Sequence, residues 1–159
     1  MTFEEHASNL GKLITNLQGL ELMLRQFLCT AKNETIAMLP IGQTNVPENH
    51  LTNYDTLGML IEKYNNEVSE EFPNFTVDAS VVELRDALAH GRLFPESKPP
   101  KLPQRIVKFN RPKNGIAEIV FDAVMDQTWF DEWQSRLNEQ IDKIGNCLCE
   151  HESLRFGGI

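Results

Sequence analysis

The stretch LGKLITNLQGLELMLRQFLCTA, residues 10–31, decides the fold class of this chain. Its large apolar residues recur in alternating steps of three and four, which is the period of an α-helix with one buried face. The row consists of Leu10, Leu13, Leu17, Leu20, Leu24, Phe27 and Ala31. Upstream of it, Thr2 and Glu5 have the spacing of a capping box, in which two side chains reciprocally cap a helix N-terminus. We therefore predict one long helix over about residues 2–33.

Two shorter segments show the same helical period. The apolar row of the first consists of Tyr54, Leu57, Ile61, Tyr64 and Val68. This helix is predicted to end before Pro73. The next helix begins near Ser80, where Ser80 and Glu83 repeat the capping-box spacing, and it ends at His90. We expect Gly91 to follow in a left-handed conformation, which a residue without a side chain adopts most easily.

The C-terminal segment predicts a fourth helix, from about residue 126 to residue 151. Its apolar row consists of Phe130, Trp133, Leu137, Ile141, Ile144 and Leu148. These positions again follow steps of three and four, with two successive steps of four between Trp133 and Ile141. Residues 152–159 are predicted to be a frayed tail.

Between the third and fourth helices the apolar period changes to two, which is typical of β-strands. Four prolines mark an extended connector: Pro95, Pro99, Pro100 and Pro103. The runs RIVKFN and IAEIVFDAV then flank Asn114-Gly115, a strong signal for a two-residue hairpin turn. We predict a hairpin over about residues 104–124. The side chains expected to face the helices are those of Ala117, Ile119, Phe121 and Ala123.

Together these elements predict a mainly α fold. The predicted architecture is a four-helix up-and-down bundle with a β-hairpin inserted before the last helix. A chain of 159 residues has the size of one domain, so residues 1–159 are expected to form a single helical domain. A two-stranded hairpin is only marginally stable alone, so it must pack on the bundle or on a second subunit.

The charge of the chain is distributed unevenly. Its formal net charge of −8 argues against broad binding to phosphate backbones. Residues 85–113, however, contain eight basic side chains and two acidic ones, so this segment carries +6 and the remainder −14. The basic residues are Arg85, Arg92, Lys98, Lys101, Arg105, Lys108, Arg111 and Lys113. The segment favours local binding of an anionic ligand, and the alternative is a solubilising hairpin with exposed lysines.

Composition also restricts compartment and cofactors. No apolar run approaches the roughly 18–20 residues of a membrane span, and the acidic N-terminal MTFEEHASNL differs from a secretory signal. Three cysteines are an odd number for a disulfide framework. Cys147, Cys149 and His151 lack a fourth ligand, and the two cysteines point about 200° apart on a helix. We expect a cytoplasmic protein without membrane association, bound metal or other cofactor.

The polar stretch ELRDALAHG, residues 83–91, is the candidate site. Asp86 and His90 are four residues apart, so they share one helix face, and the carboxylate could orient the imidazole. Histidine is a proton carrier near neutral pH, and the guanidinium of Arg85 matches phosphate oxygens. Arg92, just after the helix, could bind a neighbouring phosphate. Because Arg85 is about 140° from His90 around the helix, the two converge only by side-chain length, by fraying or across a dimer interface.

The run LRDALAHG resembles the signature of the HEPN superfamily (higher eukaryote and prokaryote nucleotide-binding domains). That signature is an Arg, a short spacer and a His, commonly with a polar residue after the Arg, and Arg85, Asp86 and His90 match it as Arg-x4-His. The order of the helices is similar over nearly the whole chain, whereas the hairpin is an addition to the family pattern. The resemblance implies a metal-independent endoribonuclease, often a toxin or defence effector with an antitoxin partner, whose RNA site lies at a homodimer interface.

Two other functions are compatible with the sequence. Four carboxylates resemble the pattern of all-α nucleoside triphosphate pyrophosphohydrolases, which bind Mg²⁺ and a triphosphate. They are Glu67, Glu70, Glu83 and Asp86. Alternatively, the chain is a non-catalytic helical interaction or scaffold module, in which Arg85, Asp86 and His90 form a structural cap or an interface network. A ferritin-like di-iron site is disfavoured because no Glu-x-x-His pair occurs on a predicted helix.

Overall fold

The computed structural model describes the backbone of residues 1–36, 41–95 and 102–156, and side chains in these ranges as far as residue 151. In this part of the chain the protein is mostly helical, with a small antiparallel sheet. The helices are α1 (Phe3–Ala31), α2 (Leu57–Val68), α3 (Val81–His90) and α4 (Gln127–Phe156). The strands are β1 (Arg92–Pro95), β2 (Gln104–Phe109) and β3 (Ile119–Val124), in the order β1-β2-β3. The predicted mainly α class is confirmed.

The chain forms two compact units. The first unit comprises Met1–Leu17 and Ser80–Leu137, and the second comprises Gln18–Ala79 and Asn138–Ile159. Helix α3 and the sheet therefore belong to the first unit, α2 belongs to the second, and α1 and α4 contribute residues to both. The candidate site lies wholly in the first unit.

The helix ends test the predicted caps. At α1 the capping box is confirmed, because Thr2 N donates to Glu5 Oε2 at 2.7 Å and Glu5 N donates to Thr2 Oγ1 at 3.1 Å. The second predicted box is wrong. Ser80 makes no side-chain cap, and its hydroxyl instead accepts a 2.8 Å hydrogen bond from Arg136 Nη2. A tertiary partner has thus displaced the local one.

Helix α2 begins later than the periodicity predicts. Its N-cap is Thr56, whose hydroxyl accepts a hydrogen bond from the backbone N–H of Met59. Tyr54, which we included in the apolar row, lies before the cap and is fully exposed, so that assignment is wrong. The rest of the row is buried in the second unit.

A buried arginine organises the segment that leads into α2. Arg25 is 9% exposed. Its guanidinium donates to the backbone carbonyls of His50, Asn53 and Asp55 at 2.9–3.2 Å. It also pairs with Glu21 one helical turn earlier, at 2.9 Å. Because a buried cation must be compensated by charge and hydrogen bonds, this network holds the segment before α2 against α1.

The first unit buries apolar side chains of its helices and of its sheet. Its buried apolar residues are Leu13, Leu17, Val81, Leu84, Ala87, Ile106, Val107, Met125, Phe130 and Leu137. Ile106 of β2 faces the end of α3, whereas the neighbouring Val107 is buried on the other face of the sheet. Burial of the Val81, Leu84 and Ala87 row fixes which sides of α3 remain available to polar residues.

The sheet has three strands where the sequence predicted two. Residues 92–95, of which we assigned Pro95 to the connector, pair with β2 as an edge strand, with Arg92 opposite Val107 and Pro95 opposite Gln104. An edge strand tolerates proline because its outer side needs no ladder hydrogen bond. The hairpin over residues 104–124 is confirmed. Its turn is Asn114-Gly115, with φ of 52° and 77°.

The inward alternation predicted for β3 is only partly correct. Phe121 and Ala123 are half-buried, whereas Ala117 and Ile119 are exposed. The reason is an irregularity in pairing beside Phe109, which shifts the register and places Phe109 opposite Ile119. The hairpin therefore extends beyond the helices at its turn end.

Two predictions concern segments at the limits of the described residues. Helix α4 continues to Phe156, past its predicted end near residue 151, so residues 152–156 of the predicted tail are helical. Residues 157–159 lie outside the described residues. So do Pro99 and Pro100 of the predicted connector, together with Lys98 and Lys101.

Position 91 requires a glycine because a side chain would not fit there. The left-handed conformation predicted for Gly91 is wrong. Its φ of −69° and ψ of 162° are those of extended backbone. Its amide donates to the carbonyl oxygen of Ala87 at 2.7 Å. A Cβ at this position would lie 2.4 Å from that oxygen and 2.8 Å from Ile106 Cγ1. A side chain is excluded because the end of α3 and strand β2 approach too closely.

Substitution Gly91→Ala is expected to lower the free energy of unfolding by about 1–3 kcal/mol, the usual cost of overpacking against backbone. The matched control is Gly11→Ala in α1, where a Cβ meets nothing within 4 Å. That control should be neutral or stabilising by up to about 1 kcal/mol, as helix propensity dictates. Urea denaturation followed by circular dichroism measures both. Equal stability of the two variants would contradict the steric account.

A second prediction concerns His6, which is 4% exposed and whose ring nitrogens make no hydrogen bond among the described residues. Its ring packs edge-on against Phe130 at 5.3 Å. Burial lowers the pKa of His6 below its ordinary value. The unfolded chain then binds this proton more tightly, so stability should fall as pH drops below about 7, by at most about 1.4 kcal/mol per unit.

His6→Leu should remove this part of the pH dependence, because leucine keeps the apolar contact and cannot be protonated. Denaturation midpoints at several pH values between neutrality and mild acid measure the effect. The control variant Ile14→Leu, which replaces an exposed apolar side chain on the same helix, should retain the wild-type slope. A slope that is unchanged in His6→Leu would show that another group is responsible.

Candidate functional site

The last two turns of α3 carry the predicted polar residues. Leu84 and Ala87 are buried, so their neighbours Arg85 and Asp86 emerge half-buried at the edge of the core. His90 ends the helix and is exposed. The close contact at Gly91 leads the chain directly from α3 into β1, and Arg92 is the first residue of that strand. The helix end and the sheet thus form one continuous surface.

Asp86 is the centre of a small ion-pair cluster. Its Oδ1 accepts a hydrogen bond from Arg85 Nη1 at 3.0 Å, and its Oδ2 accepts one from Lys108 Nζ on β2 at 3.2 Å. Burial alone would raise the pKa of Asp86, but the hydrogen bonds and charges of Arg85 and Lys108 lower that pKa overall. The carboxylate is therefore held ionised and links α3 to the sheet.

The predicted contact between Asp86 and His90 is not formed in the single chain. Both carboxylate oxygens of Asp86 are occupied by Arg85 and Lys108, as described above. The imidazole of His90 makes no hydrogen bond or ion pair within the described part of the chain. The four-residue spacing brings Asp86 and His90 onto one helix face. Lys108 of β2, however, donates to the carboxylate that we expected to contact the imidazole.

His90 and Arg92 line the same shallow pocket. Its volume is about 240 Å³, and its other lining residues are Phe109, Asn110, Pro112 and Ala117. The guanidinium carbon of Arg92 lies 5.5 Å from the centre of the Phe109 ring, within the range of a cation–π contact. This pocket therefore combines a solvent-exposed histidine, an arginine and an aromatic ring.

Asp86 lines a different pocket of about 210 Å³ together with Glu83 and Lys108. Arg85 lines neither pocket. The structure thus brings Arg85 to Asp86 and His90 to Arg92, but it does not bring the first pair to the second. Neighbouring strand residues explain the division, because Lys108 and Phe109 point to opposite faces of the sheet.

Phe109 and Phe94 are the site residues that sequence reasoning missed. Their ring centres are 6.4 Å apart at an angle of 69°, and Phe94 is 40% exposed. The alternation along RIVKFN already separated Lys108 from Phe109. Strand β1 was not predicted from the sequence, and without that strand nothing places Phe94 beside Phe109.

The basic segment is only partly available to an external anion. Arg85 and Lys108 are engaged by Asp86, and Arg105 pairs with Asp122 across the strands. Arg92, Arg111 and Lys113 are exposed, and the structure shows no acidic partner for them in the described residues. Of these three cations, Arg92 lines the pocket of His90, and Arg111 and Lys113 flank Pro112, which also lines it.

The carboxylates considered for a magnesium site have cationic partners in two of four cases. Glu67 Oε2 accepts a hydrogen bond from Lys32 Nζ at 2.7 Å, and Asp86 is paired as described. Glu70 lies beyond the end of α2, and Glu83 is exposed. Among the described residues, no three histidine, cysteine or acidic side chains converge in a way that could hold a metal ion.

Comparison of the chain with protein-family models, curated proteins and solved structures finds no significant match. In the described residues, no helix combines the length and apolarity that crossing a bilayer requires.

The Asp86 cluster yields a prediction about stability. Because Asp86 and Lys108 are only about a quarter to a third exposed, their pair should couple by about 0.5–1 kcal/mol, near the upper end for surface ion pairs. A double-mutant cycle of Asp86→Asn with Lys108→Met, measured by urea denaturation, gives this coupling. The control cycle of Asp86→Asn with Lys113→Met should give none. Equal couplings in the two cycles would contradict a specific pair.

Proposed function

We propose that this protein is a metal-independent endoribonuclease of the HEPN type. The observation that carries the proposal is the exposed imidazole of His90, which lines one pocket with the guanidinium of Arg92 while Arg85 and Asp86 lie one to two turns earlier on the same helix. Histidine beside arginine is the combination that phosphodiester cleavage without a metal requires. The Arg-x4-His resemblance supports the same function.

The chemistry follows from what RNA cleavage needs. A base removes the proton of the 2′-hydroxyl, whose oxygen attacks the adjacent phosphorus. The bond to the 5′-oxygen breaks, and that oxygen takes up a proton, leaving a 2′,3′-cyclic phosphate and a 5′-hydroxyl. In the proposal, His90 exchanges protons with these oxygens, since its ring nitrogens have no competing partner in the described chain. Arg85 stabilises the charge on the phosphate, and Arg92 binds a neighbouring phosphate.

The proposal includes a homodimer. In one chain Arg85 is directed to Asp86 and does not line the pocket of His90. A second copy related by two-fold symmetry can supply its own Arg85 to that pocket, which gives two equivalent composite sites. Asp86 then acts as a positioning residue that holds Arg85. The helices are proposed to form the up-and-down bundle predicted from sequence. The setting is a cytoplasmic toxin or defence effector controlled by an antitoxin.

The test is cleavage of single-stranded RNA in excess EDTA. The proposal predicts cleavage by the wild type and a loss of at least about 100-fold in both His90→Ala and Arg85→Ala, as expected for a proton-transfer group and a charge stabiliser. Arg85→Lys should recover part of the rate because it keeps the charge. Cleavage that persists in both alanine variants would identify a contaminant and overturn the proposal, as would an inactive wild type.

Mixing the two inactive variants tests the composite site. A heterodimer of His90→Ala with Arg85→Ala contains one site with both functional residues. Random reassociation should therefore restore about a quarter of the wild-type activity. Sedimentation velocity verifies that the subunits have exchanged. If activity is not restored after exchange, Arg85 and His90 act within one chain, and the two-subunit site is wrong.

A further inference from the structure

The outer face of the sheet is a surface that the Arg-x4-His motif does not explain. In the register of the strands, residues that face each other across a ladder project to the same side. Arg92 and Phe94 of β1 therefore share a face with Arg105 and Val107 of β2 and with Asp122 of β3. Phe109 lies on the same face, since its ring contacts both Arg92 and Phe94. Val107 is buried on this face, whereas Phe94 is exposed. The opposite face carries Ile106 and Lys108, which contact the end of α3. The outer face begins directly after His90.

This face combines planar and cationic groups at short distances. Arg92 lies over the ring of Phe109 at 5.5 Å, and the ring of Phe94 follows at 6.4 Å. Phe94 is 40% exposed although it is a large apolar side chain. A nucleobase of any identity can stack against an exposed aromatic ring beside a planar guanidinium, because every base has a flat π-face.

Charge complementarity identifies the occupant. Of the exposed cations, Arg92 lines the pocket of His90, and Arg111 and Lys113 flank Pro112, which also lines it, in a chain that is otherwise strongly acidic. The carboxylates of the hairpin already have partners: Asp122, on the same face of the sheet, is paired with Arg105, and Glu118 accepts a 2.7 Å hydrogen bond from Asn110 Nδ2. An anionic polymer is therefore attracted to this face and repelled elsewhere. An apolar protein partner would need none of these cations.

We propose that Phe94, Phe109 and Arg92 form a base-stacking subsite, which binds an unpaired nucleotide of RNA next to the phosphate that lies at His90. The proposal rests on the function proposed above and adds to it a binding subsite built by the sheet. Stacking on the two rings supplies affinity, and the guanidinium of Arg92 contacts the phosphate that links the stacked nucleotide to its neighbour. The three-stranded sheet thereby acquires a role in selecting unpaired over paired nucleotides.

Binding is tested without catalysis by using a short 2′-O-methyl oligoadenylate, which lacks the nucleophilic hydroxyl and cannot be cleaved by this route. Fluorescence anisotropy with the full chain should show Phe94→Leu and Phe109→Leu each weakening binding by about 5- to 100-fold, the range of one lost stacking contact. Phe94→Tyr should retain the affinity because it keeps a ring. The matched control is Phe72→Leu, from an aromatic pair of similar spacing, 6.1 Å from Phe75, in the second unit.

Inorganic polyphosphate, which has charge but no bases, separates stacking from electrostatics. Arg92→Ala should weaken binding of both probes and reduce the salt dependence of the oligonucleotide. The two Phe→Leu variants should leave polyphosphate binding unchanged. The subsite is overturned if the Phe→Leu variants bind the oligonucleotide like the wild type or lose both probes equally. It is also overturned if they change the sedimentation of the protein, since the rings would then belong to a subunit interface.

The subsite and the ribonuclease can fail separately. If oligonucleotide binding depends on the two rings but unmodified RNA is not cleaved, the catalytic proposal fails and the subsite stands. If cleavage depends on His90 while both Phe→Leu variants bind and cleave normally, the subsite alone fails. Thermal melting of every variant verifies that a loss of binding does not reflect loss of the fold.

Discussion

The candidate site depends on the absence of a side chain at position 91. The amide of Gly91 closes the last turn of α3 onto Ala87, and Ile106 of β2 lies against the same point. Because β1 begins one residue later, this contact determines how β1 pairs with β2. It also places His90 and Arg92 on either side of the glycine. A larger residue would separate helix from sheet and remove the pocket as well as the packing.

The same junction sorts the charges of the basic segment. Cations that point toward α3 or across the ladder find carboxylates, as Lys108 does with Asp86 and Arg105 does with Asp122. Arg92, which lines the pocket of His90, has no acidic partner in the described residues. The net charge of the segment therefore overstates the positive charge that a ligand meets, because Arg105 and Lys108 are already paired. An acidic protein can in this way present one restricted basic surface.

The sequence predicts those features that depend on near neighbours. Helical periodicity, the Thr2 capping box and the Asn114-Gly115 turn involve residues a few positions apart, and all three were correct. Features decided by distant residues were missed or wrong. Strand β1 is too short to show alternation and exists only because β2 pairs with it. The carboxylate of Asp86 is taken by a lysine 22 residues away, which no helical spacing reveals.

The proposed function requires Arg85 to leave Asp86 for a phosphate, and the strength of the Arg85–Asp86 ion pair determines whether it can. The two side chains are 42% and 33% exposed, and an ion pair so accessible to water contributes at most about 1 kcal/mol. In the proposed enzyme, a bidentate contact with a phosphate would be a stronger charge-assisted interaction, so an incoming phosphodiester would compete for the guanidinium. Asp86 would not be left unpaired, because Lys108 remains on its second oxygen. In the proposed enzyme, the ion-pair cluster would therefore hold Arg85 in place before the substrate arrives and release it at low cost afterwards.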